Sequence, residues 1–426
     1  MSNTTDQVKQ SLARRYRAEK RFRSYGVFAI AASLSFLALL IGSIIIKGTP
    51  AFTTTYMKLD VELDADTLGL DADPSAKELR RADYGAAIKQ TMRDKFPDAT
   101  KRKEKKALYQ LVSSGAEYQI AAEVSANPTL VGTTQSFWVL ADDELSALIK
   151  SSDDLTQPEA LQTRMSEQQI GWAKSLLDQG DLDVQFNTTF FENGDSREPE
   201  QAGIRAALMG SAFTLLITFL LSFPVAVASA IYLEEFAPQN RWTDFVEVNI
   251  NNLAAVPSIV FGLLGLAVFI NFFHLPRSAP LVGGIVLSLM TLPTIIISSR
   301  AALKSVPPSI REAARGIGAS PLQVVFHHVL PLAMPGILTG TIIGLAQALG
   351  ETAPLLMIGM VAFIVDIPTS VMDQATALPV QVFLWADSPE RAFTEKTSAA
   401  IMVLLAFLIV MNALAVLLRK RFERRW

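Results

Sequence analysis

One acidic side chain, Glu351, interrupts a long apolar run at residues 329–360. A carboxylate inside a membrane span is costly when it faces lipid, so it must face a cavity or a partner. Glu351 is therefore a candidate for a translocation pathway or its gate, together with its neighbours Gln347 and Thr352. The alternative is a helix–helix contact with those two residues or with a neighbouring subunit. Since a lone carboxylate repels anions, we expect Glu351 to pair with a cation, from Arg300 or from a partner subunit.

Motifs for enzymatic chemistry are missing from the sequence. It contains no G-x-x-x-x-G-K-[ST] segment, so the chain does not bind ATP through a P-loop. It has no H-E-x-x-H motif, no Ser/His/Asp set and no cysteine, and its three histidines argue against a metal centre. We therefore predict a chain that is not an enzyme and binds no cofactor of its own.

The segment 305–328 predicts two short helices beside a membrane span. Ser309 followed three residues later by Glu312 has the spacing of a capping box, and Ser320 with Gln323 repeats it. Gly318 separates the two helices at a turn, where a positive φ is cheap only for glycine. An ordinary amphipathic linker beside the membrane would show the same pattern, so the spacing alone leaves the function of this segment open.

Two motifs nevertheless resemble a known family. The segment 305–331 resembles the EAA loop with which permease subunits of ABC importers dock onto their ATPase, and the matching residues are Glu312, Ala313, Ala314, Gly318, Leu330 and Pro331. The run GETAPLL at 350–356, with LPVQVF at 378–383, is similar to the PstA family of phosphate importer permeases. Two positions depart from the family pattern, since His328 replaces the usual Ile and Gln347 replaces a frequent Arg. The resemblance covers residues 206–426 and the first span.

This resemblance implies a fold, a function and a set of partners. The fold is that of a polytopic α-helical membrane protein, a type I ABC importer permease with six transmembrane helices. The partners are a homologous permease subunit (PstC-like), an ATPase dimer (PstB-like) that binds ATP and Mg, and a periplasmic phosphate-binding protein (PstS-like). Movement of the ATPase dimer would act on the EAA-like loop and switch the spans between inward-facing and outward-facing arrangements.

Composition independently indicates a membrane protein with a separate polar part. The chain has 426 residues, 50% of them hydrophobic, and the apolar residues are grouped in runs of about the 20 needed to span a bilayer. Its net charge of −3 conceals a division, because residues 48–205 contain 27 acidic and 17 basic side chains. The remainder of the chain is correspondingly basic. The histidine, cysteine and charge patterns therefore do not support a soluble enzyme.

The apolar runs predict six spans with both termini in the cytoplasm. The first span is 25–47, and five more follow in a permease core at 206–418, with runs at 206–233, 250–273, 280–299, 329–360 and 398–418. The basic N-terminus at 1–24 and the basic tail at 419–426 both favour the cytoplasm by the positive-inside rule. An even number of spans agrees with this, and it places the 305–331 loop in the cytoplasm. Arg300 could accordingly be only a basic anchor at the end of its span.

Residues 48–205 contain no spanning run and predict an α+β domain inserted between the first two spans on the periplasmic side. Helical patterns occur at 75–96, 141–151 and 158–178, and strand-like runs at 118–124, 134–140 and 184–191. The basic run 101–106 is interpreted as a solvated helix face rather than a nucleic-acid site. The sequence gives this insert no catalytic constellation.

The most specific prediction is a permease subunit of an ATP-driven importer of inorganic phosphate in the inner membrane. One alternative is a permease for another oxyanion, sulfate or molybdate, because such permeases share the EAA loop. An alternative of another class is a membrane sensor with a periplasmic ligand domain. A sensor of this kind is expected to carry a cytoplasmic output domain, whereas eight residues follow the last predicted span in this sequence.

Overall fold

A computed structural model describes residues 4–71, 74–151, 164–361 and 363–422. Two sequence predictions fall partly beyond these ranges. Arg424 and Arg425 of the predicted basic tail, and residues 158–163 of the helix predicted at 158–178, lie outside the described residues.

The first helix, α1, spans Thr4–Gly48 and is 45 residues long. At about 1.5 Å per residue it is roughly 68 Å long, more than twice the thickness of a hydrocarbon core. The predicted span 25–47 is its second half. The basic segment before it continues the same helix because Arg, Lys, Gln and Ala are all good helix formers. Within the membrane segment α1 is exposed along its length, and it contacts the last helix of the chain.

A three-stranded antiparallel sheet organises the insert. Its strands are β1 (Thr53–Glu62), β2 (Thr134–Leu140) and β3 (Leu182–Phe186), in the order β2-β1-β3. Strand β1 was missed by the sequence analysis, although its side chains alternate between the two faces. Met57, Leu59 and Val61 are fully buried on one face, whereas Asp60 and Glu62 point to solvent.

Helices cover the buried face of this sheet. Their bounds are α2 Ala65–Leu68, α3 Ala76–Leu79, α4 Tyr84–Lys95, α5 Arg102–Tyr109, α6 Ala116–Ala126, α7 Asp143–Ser151, α8 Glu167–Asp178 and α9 Thr188–Glu192. Helices α2 to α8 enclose one hydrophobic core with the sheet, whereas the buried Phe190 of α9 belongs to a second cluster that includes Trp385. The basic run 101–106 opens α5 at the surface, in agreement with the predicted solvated helix face.

Two strand predictions in the insert are wrong in whole or in part. The segment 118–124 is not a strand but belongs to α6, in which Ala116, Ile120 and Val124 recur every four residues and are fully buried. Periodicity over so short a run does not separate a strand from a buried helix. The strand predicted at 184–191 ends at Phe186, because the side chain of Asn187 accepts a hydrogen bond from the backbone N–H of Phe190 and starts α9.

Asp142, which follows β2, should make the stability of the protein depend on pH. Burial and the carboxylates of Asp143 and Glu200 raise the pKa of Asp142 to about 8 from an ordinary value of 3.8. The folded state therefore binds more protons than the unfolded state between about pH 4 and pH 8, and stability falls as pH rises through that window. We expect Asp142→Asn to raise the thermal unfolding midpoint of the full chain in detergent near pH 8 and to leave it unchanged near pH 4.

The asparagine keeps an acceptor for the backbone N–H of Glu144, which lies 3.1 Å from the Asp142 carboxylate. Asp178→Asn, which changes an exposed carboxylate at the end of α8, is the control. Equal slopes of unfolding midpoint against pH in the parent protein and in Asp142→Asn would contradict the assignment.

The rest of the described chain is mainly helical, with long helices and several short ones. Their bounds are α10 Arg205–Ile231, α11 Arg241–Ala254, α12 Ser258–Leu264, α13 Pro280–Lys304, α14 Pro308–Gly316, α15 Pro321–Gln323, α16 Leu330–Gly350, α17 Ala353–Met357, α18 Leu378–Ala386 and α19 Ala392–Phe422. Turns of π-helix extend α10 to Phe236 and α12 to Phe272 and join α15 to α16.

Among the described residues, five helices are long and apolar enough to cross a membrane. A sixth span results if α11 and α12 are counted together, but these two helices meet at a bend of 101°. The run 250–273 therefore does not form the straight span that its composition predicted. Pro257 lies at the bend and begins α12, because proline disfavours helical geometry at the residue before it.

Close contact between α10 and α13 depends on a glycine. A Cβ atom on Gly284 would lie 2.5 Å from the Cβ of Ile217 and 2.9 Å from the carbonyl of Thr214. We expect Gly284→Leu to overpack this contact and to cost about 1–3 kcal/mol of stability. The fraction of protein that stays monodisperse after heating in detergent measures it. Gly26→Leu is the control, since Gly26 has open space around it, and equal losses in both variants would contradict tight packing at Gly284.

The insert is tied to the membrane helices by residues 193–204, which lead into α10. The ammonium of Lys396, in the first turns of α19, donates to the carbonyl of Ala202 at 2.5 Å. The indole N–H of Trp385 on α18 donates to the carboxylate of Asp195 at 2.9 Å. The backbone N–H of Asp195 in turn donates to the carbonyl of Ile364 at 3.1 Å. The insert is thereby fixed to the ends of α18 and α19.

Candidate functional site

The 305–331 loop folds as two short helices that pack on the ends of the membrane helices. Helix α14 turns its buried Ala314 toward Leu303 and Val324, whereas Glu312 and Ala313 are exposed. Gly318 has a φ of +88° and makes the predicted turn between α14 and α15. One helix face is thus held by the core and the other is free for a partner.

The two predicted capping boxes have different outcomes. Ser320 and Gln323 form one, with Pro321 in the first helical position. Ser309 and Glu312 do not, because α14 begins one residue before Ser309, at Pro308, whose fixed φ suits the first helical position. The capping role predicted for Glu312 is therefore wrong, and its exposed side chain makes no hydrogen bond within the part of the chain that the structure describes.

Arg311 fastens α14 to two other helices. Its guanidinium forms a fork with the carboxylate of Glu235, with Nη2 2.6 Å and Nε 3.2 Å from that group. It also donates to the carbonyl of Val306 at 2.6 Å and to that of Leu303 at 3.0 Å, at the end of α13. Glu235 lies in the π-helical turn that ends α10. Arg311 therefore links α14 directly to α10 and to the end of α13.

Arg300 makes a second set of ion pairs beside the first. Its guanidinium lies 2.6 Å from Glu247 on α11 and 3.5 Å from Glu234, the residue before Glu235. Arg300 does not pair with Glu351, which the sequence analysis had considered. Its place one turn before the end of α13 at Lys304 fits the alternative of an anchor at the end of a span.

The other half of the 305–331 loop leads into a membrane helix. Leu330 begins α16 and packs against the same apolar cluster as Ala314, and Pro331 follows it in the first turn. Exposed apolar side chains project from this half of the loop, and they are Ile317, Leu322 and Phe326. The sequence motif does not include them, although apolar residues in an otherwise polar loop were a visible signal.

Glu351 lies at a break in the membrane helix and not inside it. Helix α16 ends at Gly350, and the short helix α17 begins at Ala353, so the predicted run 329–360 is not one span. Glu351 has an extended conformation (φ −78°, ψ 122°). Pro354 favours the break, because it has no N–H to donate to the carbonyl of Gly350 four residues earlier and its ring would clash with that carbonyl in a continuous helix.

Two broken spans meet at this point. A Cβ on Gly262 of α12 would lie 2.7 Å from the Cα of Pro354 in α17, so the two short helices are in direct backbone contact. Phe261 and Leu355 pack in the same buried cluster. Irregular backbone at membrane depth is tolerated where it is buried in protein or lines a cavity, and broken helices commonly form transport sites.

Glu351 and Thr352 are half-buried at the break, and Gln347 is exposed one turn earlier. Within the described ranges no cation lies within ion-pair distance of the Glu351 carboxylate. The predicted helix–helix hydrogen bonds of Glu351 with Gln347 or Thr352 are likewise not formed between these side chains. The carboxylate is thus available to a group outside this chain.

Comparisons with protein families divide the chain in two. Residues 201–426 match the family described as binding-protein-dependent transport system inner membrane component. Residues 9–159 match a domain of unknown function, DUF3333. The first match covers more than half of the chain and contains the 305–331 loop and the break at Glu351.

Curated relatives are also permeases. The probable ABC transporter permease protein YqgI of Bacillus subtilis (strain 168) is 34% identical over 173 residues, which are 40% of this chain and 58% of that protein. The phosphate transport system permease protein PstA 2 of Mycobacterium bovis (strain ATCC BAA-935 / AF2122/97) is 31% identical over 226 residues, 53% of this chain and 74% of that protein. The chain thus spans little more than half the length of its Bacillus relative.

Among solved structures, the inward-facing MetNI methionine ABC transporter is similar at 18% sequence identity and a TM-score of 0.42, over 51% of this chain and 97% of that one. The assignment of this chain to a family rests on the family match and on the PstA relatives. This chain belongs to the family of binding-protein-dependent transport system inner membrane components, and it is a PstA-like ABC transporter permease of the inner membrane.

Proposed function

We propose that this chain is the transmembrane permease subunit of an ATP-driven importer of inorganic phosphate. The observation that carries the proposal is the 31% identity to PstA 2 across 226 residues, since that relative is named a phosphate transport permease. The family match at residues 201–426 includes Glu351 and the 305–331 loop, the two places where the geometry favours a transport role. Sulfate or molybdate permeases with the same loop remain the alternative substrate class.

In this proposal the exposed face of α14 docks on a separate ATPase subunit. Glu312, Ala313 and Ala314 lie at the contact, with Ala314 holding the helix to the core and Glu312 facing the partner. The fork between Arg311 and Glu235 then carries the movement to α10 and α13. Gly318, Leu330 and Pro331 shape the loop and its entry into α16. They act on the partner indirectly, through neighbouring residues of the loop.

The remaining partners follow from the same proposal. A homologous PstC-like permease completes the pathway, a PstB-like ATPase dimer binds ATP and Mg, and a periplasmic PstS-like protein delivers phosphate. In this proposal both termini are cytoplasmic, which the positive-inside rule favours for the basic ends of α1 and α19, and the acidic insert is periplasmic. Glu351, Thr352 and Gln347 line or gate the pathway, and Arg300 steadies the helix ends beside it.

Uptake of labelled phosphate and labelled sulfate into vesicles that contain the assembled complex tests the proposal. We expect ATP-dependent phosphate uptake that Glu312→Lys abolishes, because the substitution reverses a charge on the docking face. Glu123→Lys, which makes the same change at an exposed position of α6, is the control and should leave uptake intact.

The outcomes separate the parts of the proposal. Sulfate uptake without phosphate uptake would retain the permease and overturn its substrate. Phosphate uptake that persists in Glu312→Lys would overturn the docking face. Uptake of neither ion with any ATPase partner would favour a sensor instead.

A further inference from the structure

Four phenylalanines cluster at the side of the insert, and the function proposed above does not use them. The rings of Phe186 and Phe191 are stacked, with centroids 5.6 Å apart and an interplanar angle of 6°. Phe52 stacks on Phe191 at 5.8 Å and 11°. Phe190 meets Phe191 edge to face at 5.1 Å. We name Phe52, Phe186, Phe190 and Phe191 the phenylalanine cluster.

Part of this cluster is open to the surroundings. Phe186 is 60% exposed and Phe191 is 40% exposed, and Val184, two residues before Phe186 on the same face of β3, is 44% exposed. The face continues the buried side of the sheet, since Val184 pairs with Thr55 and Phe186 with Thr53 at the start of β1. Apolar side chains gathered in this way mark a surface that binds another apolar phase.

The position of the cluster relative to the membrane is fixed at two points. Phe52 comes four residues after Gly48, the last residue of α1. On the other side, the ring of Phe190 lies 5.6 Å from the ammonium of Lys396, in the first turns of α19. Both α1 and α19 are long apolar helices, and the described chain fully buries no residue of the most apolar segment of either. The cluster therefore lies where the first and last spans leave the bilayer.

The surroundings favour lipid over protein as the occupant. The end of α1 that leads to Phe52 is itself apolar and open, with Ile45 and Ile46 exposed up to the end of the helix. Lys47 follows them, and its exposed side chain can reach the phosphate groups of lipids. The opposite end of the sheet is polar, with Glu62 paired to Thr134, roughly 30 Å farther along β1.

We propose that the phenylalanine cluster inserts into the interfacial region of the lipid bilayer and anchors the insert on the membrane surface. Aromatic side chains are favoured at this depth, where an apolar ring enters the acyl boundary and the backbone stays among the headgroups. The anchor holds the near edge of the sheet at the bilayer, while residues 193–204 hold the insert to α18 and α19. The proposal requires no particular substrate or ATPase partner.

Site-directed fluorescence tests the anchor, and the absence of native cysteines makes each introduced cysteine the only one in the chain. The variants Phe186→Cys and Val184→Cys are labelled with an environment-sensitive fluorophore in the full chain, reconstituted in phosphatidylethanolamine–phosphatidylglycerol vesicles. The matched control is Thr134→Cys, an exposed position at the polar end of the same sheet. Lipids with a nitroxide near the glycerol backbone serve as quenchers.

We expect both labels at the cluster to emit at shorter wavelength than the label at position 134 and to lose several-fold more intensity to the shallow nitroxide. A nitroxide near the acyl-chain terminus should quench them less. Emission like that of the control at both cluster positions would overturn the proposal, because the patch would then be in water. A shorter emission wavelength without lipid quenching would also overturn it, since a protein would then cover the patch.

Discussion

Replacing Arg311 with alanine is expected to reduce ATP-driven uptake at least tenfold while the chain still inserts in the membrane. The variant removes the fork to Glu235 and the two hydrogen bonds to the carbonyls of Val306 and Leu303. It leaves Glu235, whose side chain is only 8% exposed, without its cation. Removing one partner of a largely buried pair costs about 3 kcal/mol. Helix α14 should detach from α13 and α10, so that movement of the docking face no longer reaches the spans.

Uptake and protease sensitivity of the 305–331 loop are the two measurements for Arg311→Ala. Arg102→Ala is the control, because it removes an exposed arginine from a short helix of the insert, away from the docking face. Arg311→Lys should fall between the two, since lysine keeps the charge but cannot form the fork. A double variant with Glu235→Gln should add little to Arg311→Ala. Full uptake and a protected loop in Arg311→Ala would show that the fork transmits nothing.

The helices of the membrane part could be predicted because their signal is local. The apolar runs at 206–233, 280–299 and 398–418 are the long helices α10, α13 and α19. A bilayer requires such runs to satisfy their own backbone hydrogen bonds, so composition and length suffice to find them. The same argument fails for the 250–273 and 329–360 runs, because both are broken at a proline and hydropathy does not register a bend.

The insert was less predictable because its core is assembled from short elements. The α6 segment contains both β-branched residues and alanines. It forms a helix because this conformation places Ile120 and Val124 together in the buried core. Strand β1 went unnoticed although Met57 and Leu59 alternate with polar side chains in it. In short elements of this kind tertiary packing decides between helix and strand.

Motif matching found the docking residues but not the residues that hold them. Arg311 lies beside Glu312 in the sequence, yet its partner Glu235 is 76 residues away. The visible signal was the pair Glu234 and Glu235 directly after the apolar run 206–233. Two adjacent carboxylates at the end of α10 require cations from other elements, but the partner residues could not be predicted from the sequence.

Glu234 and Glu235 belong to one group of ion pairs that connects four helices, α10, α11, α13 and α14. Glu234 belongs to the pair with Arg300 of α13, and Glu235 to the fork with Arg311 of α14. Arg300 also binds Glu247, which brings in α11, the first half of the bent span. A displacement of α14 therefore acts on α10, α11 and α13 together. The bent span continues into α12, which contacts α17 immediately beyond Glu351.

Glu351→Gln is accordingly expected to lower ATP-driven uptake about tenfold, which corresponds to roughly 1.4 kcal/mol in the transport barrier. The carboxylate is half-buried at the break between α16 and α17, and within the described residues it has no ion pair. A charge in that position is stable only when a cation outside this chain compensates it in at least one state. Glutamine keeps the shape and removes the charge, so one of the two transport states should lose its pair.

Initial rates of phosphate uptake in vesicles, together with the yield of assembled complex, measure this effect. Glu351→Asp should retain more uptake than Glu351→Gln, because it keeps the charge and loses only reach. Gly284→Leu, which perturbs packing away from the break, separates loss of folding from loss of gating, since it should lower the yield of complex along with uptake. Full uptake in Glu351→Gln with normal assembly would contradict a gating role and leave Glu351 as a polar contact between helices.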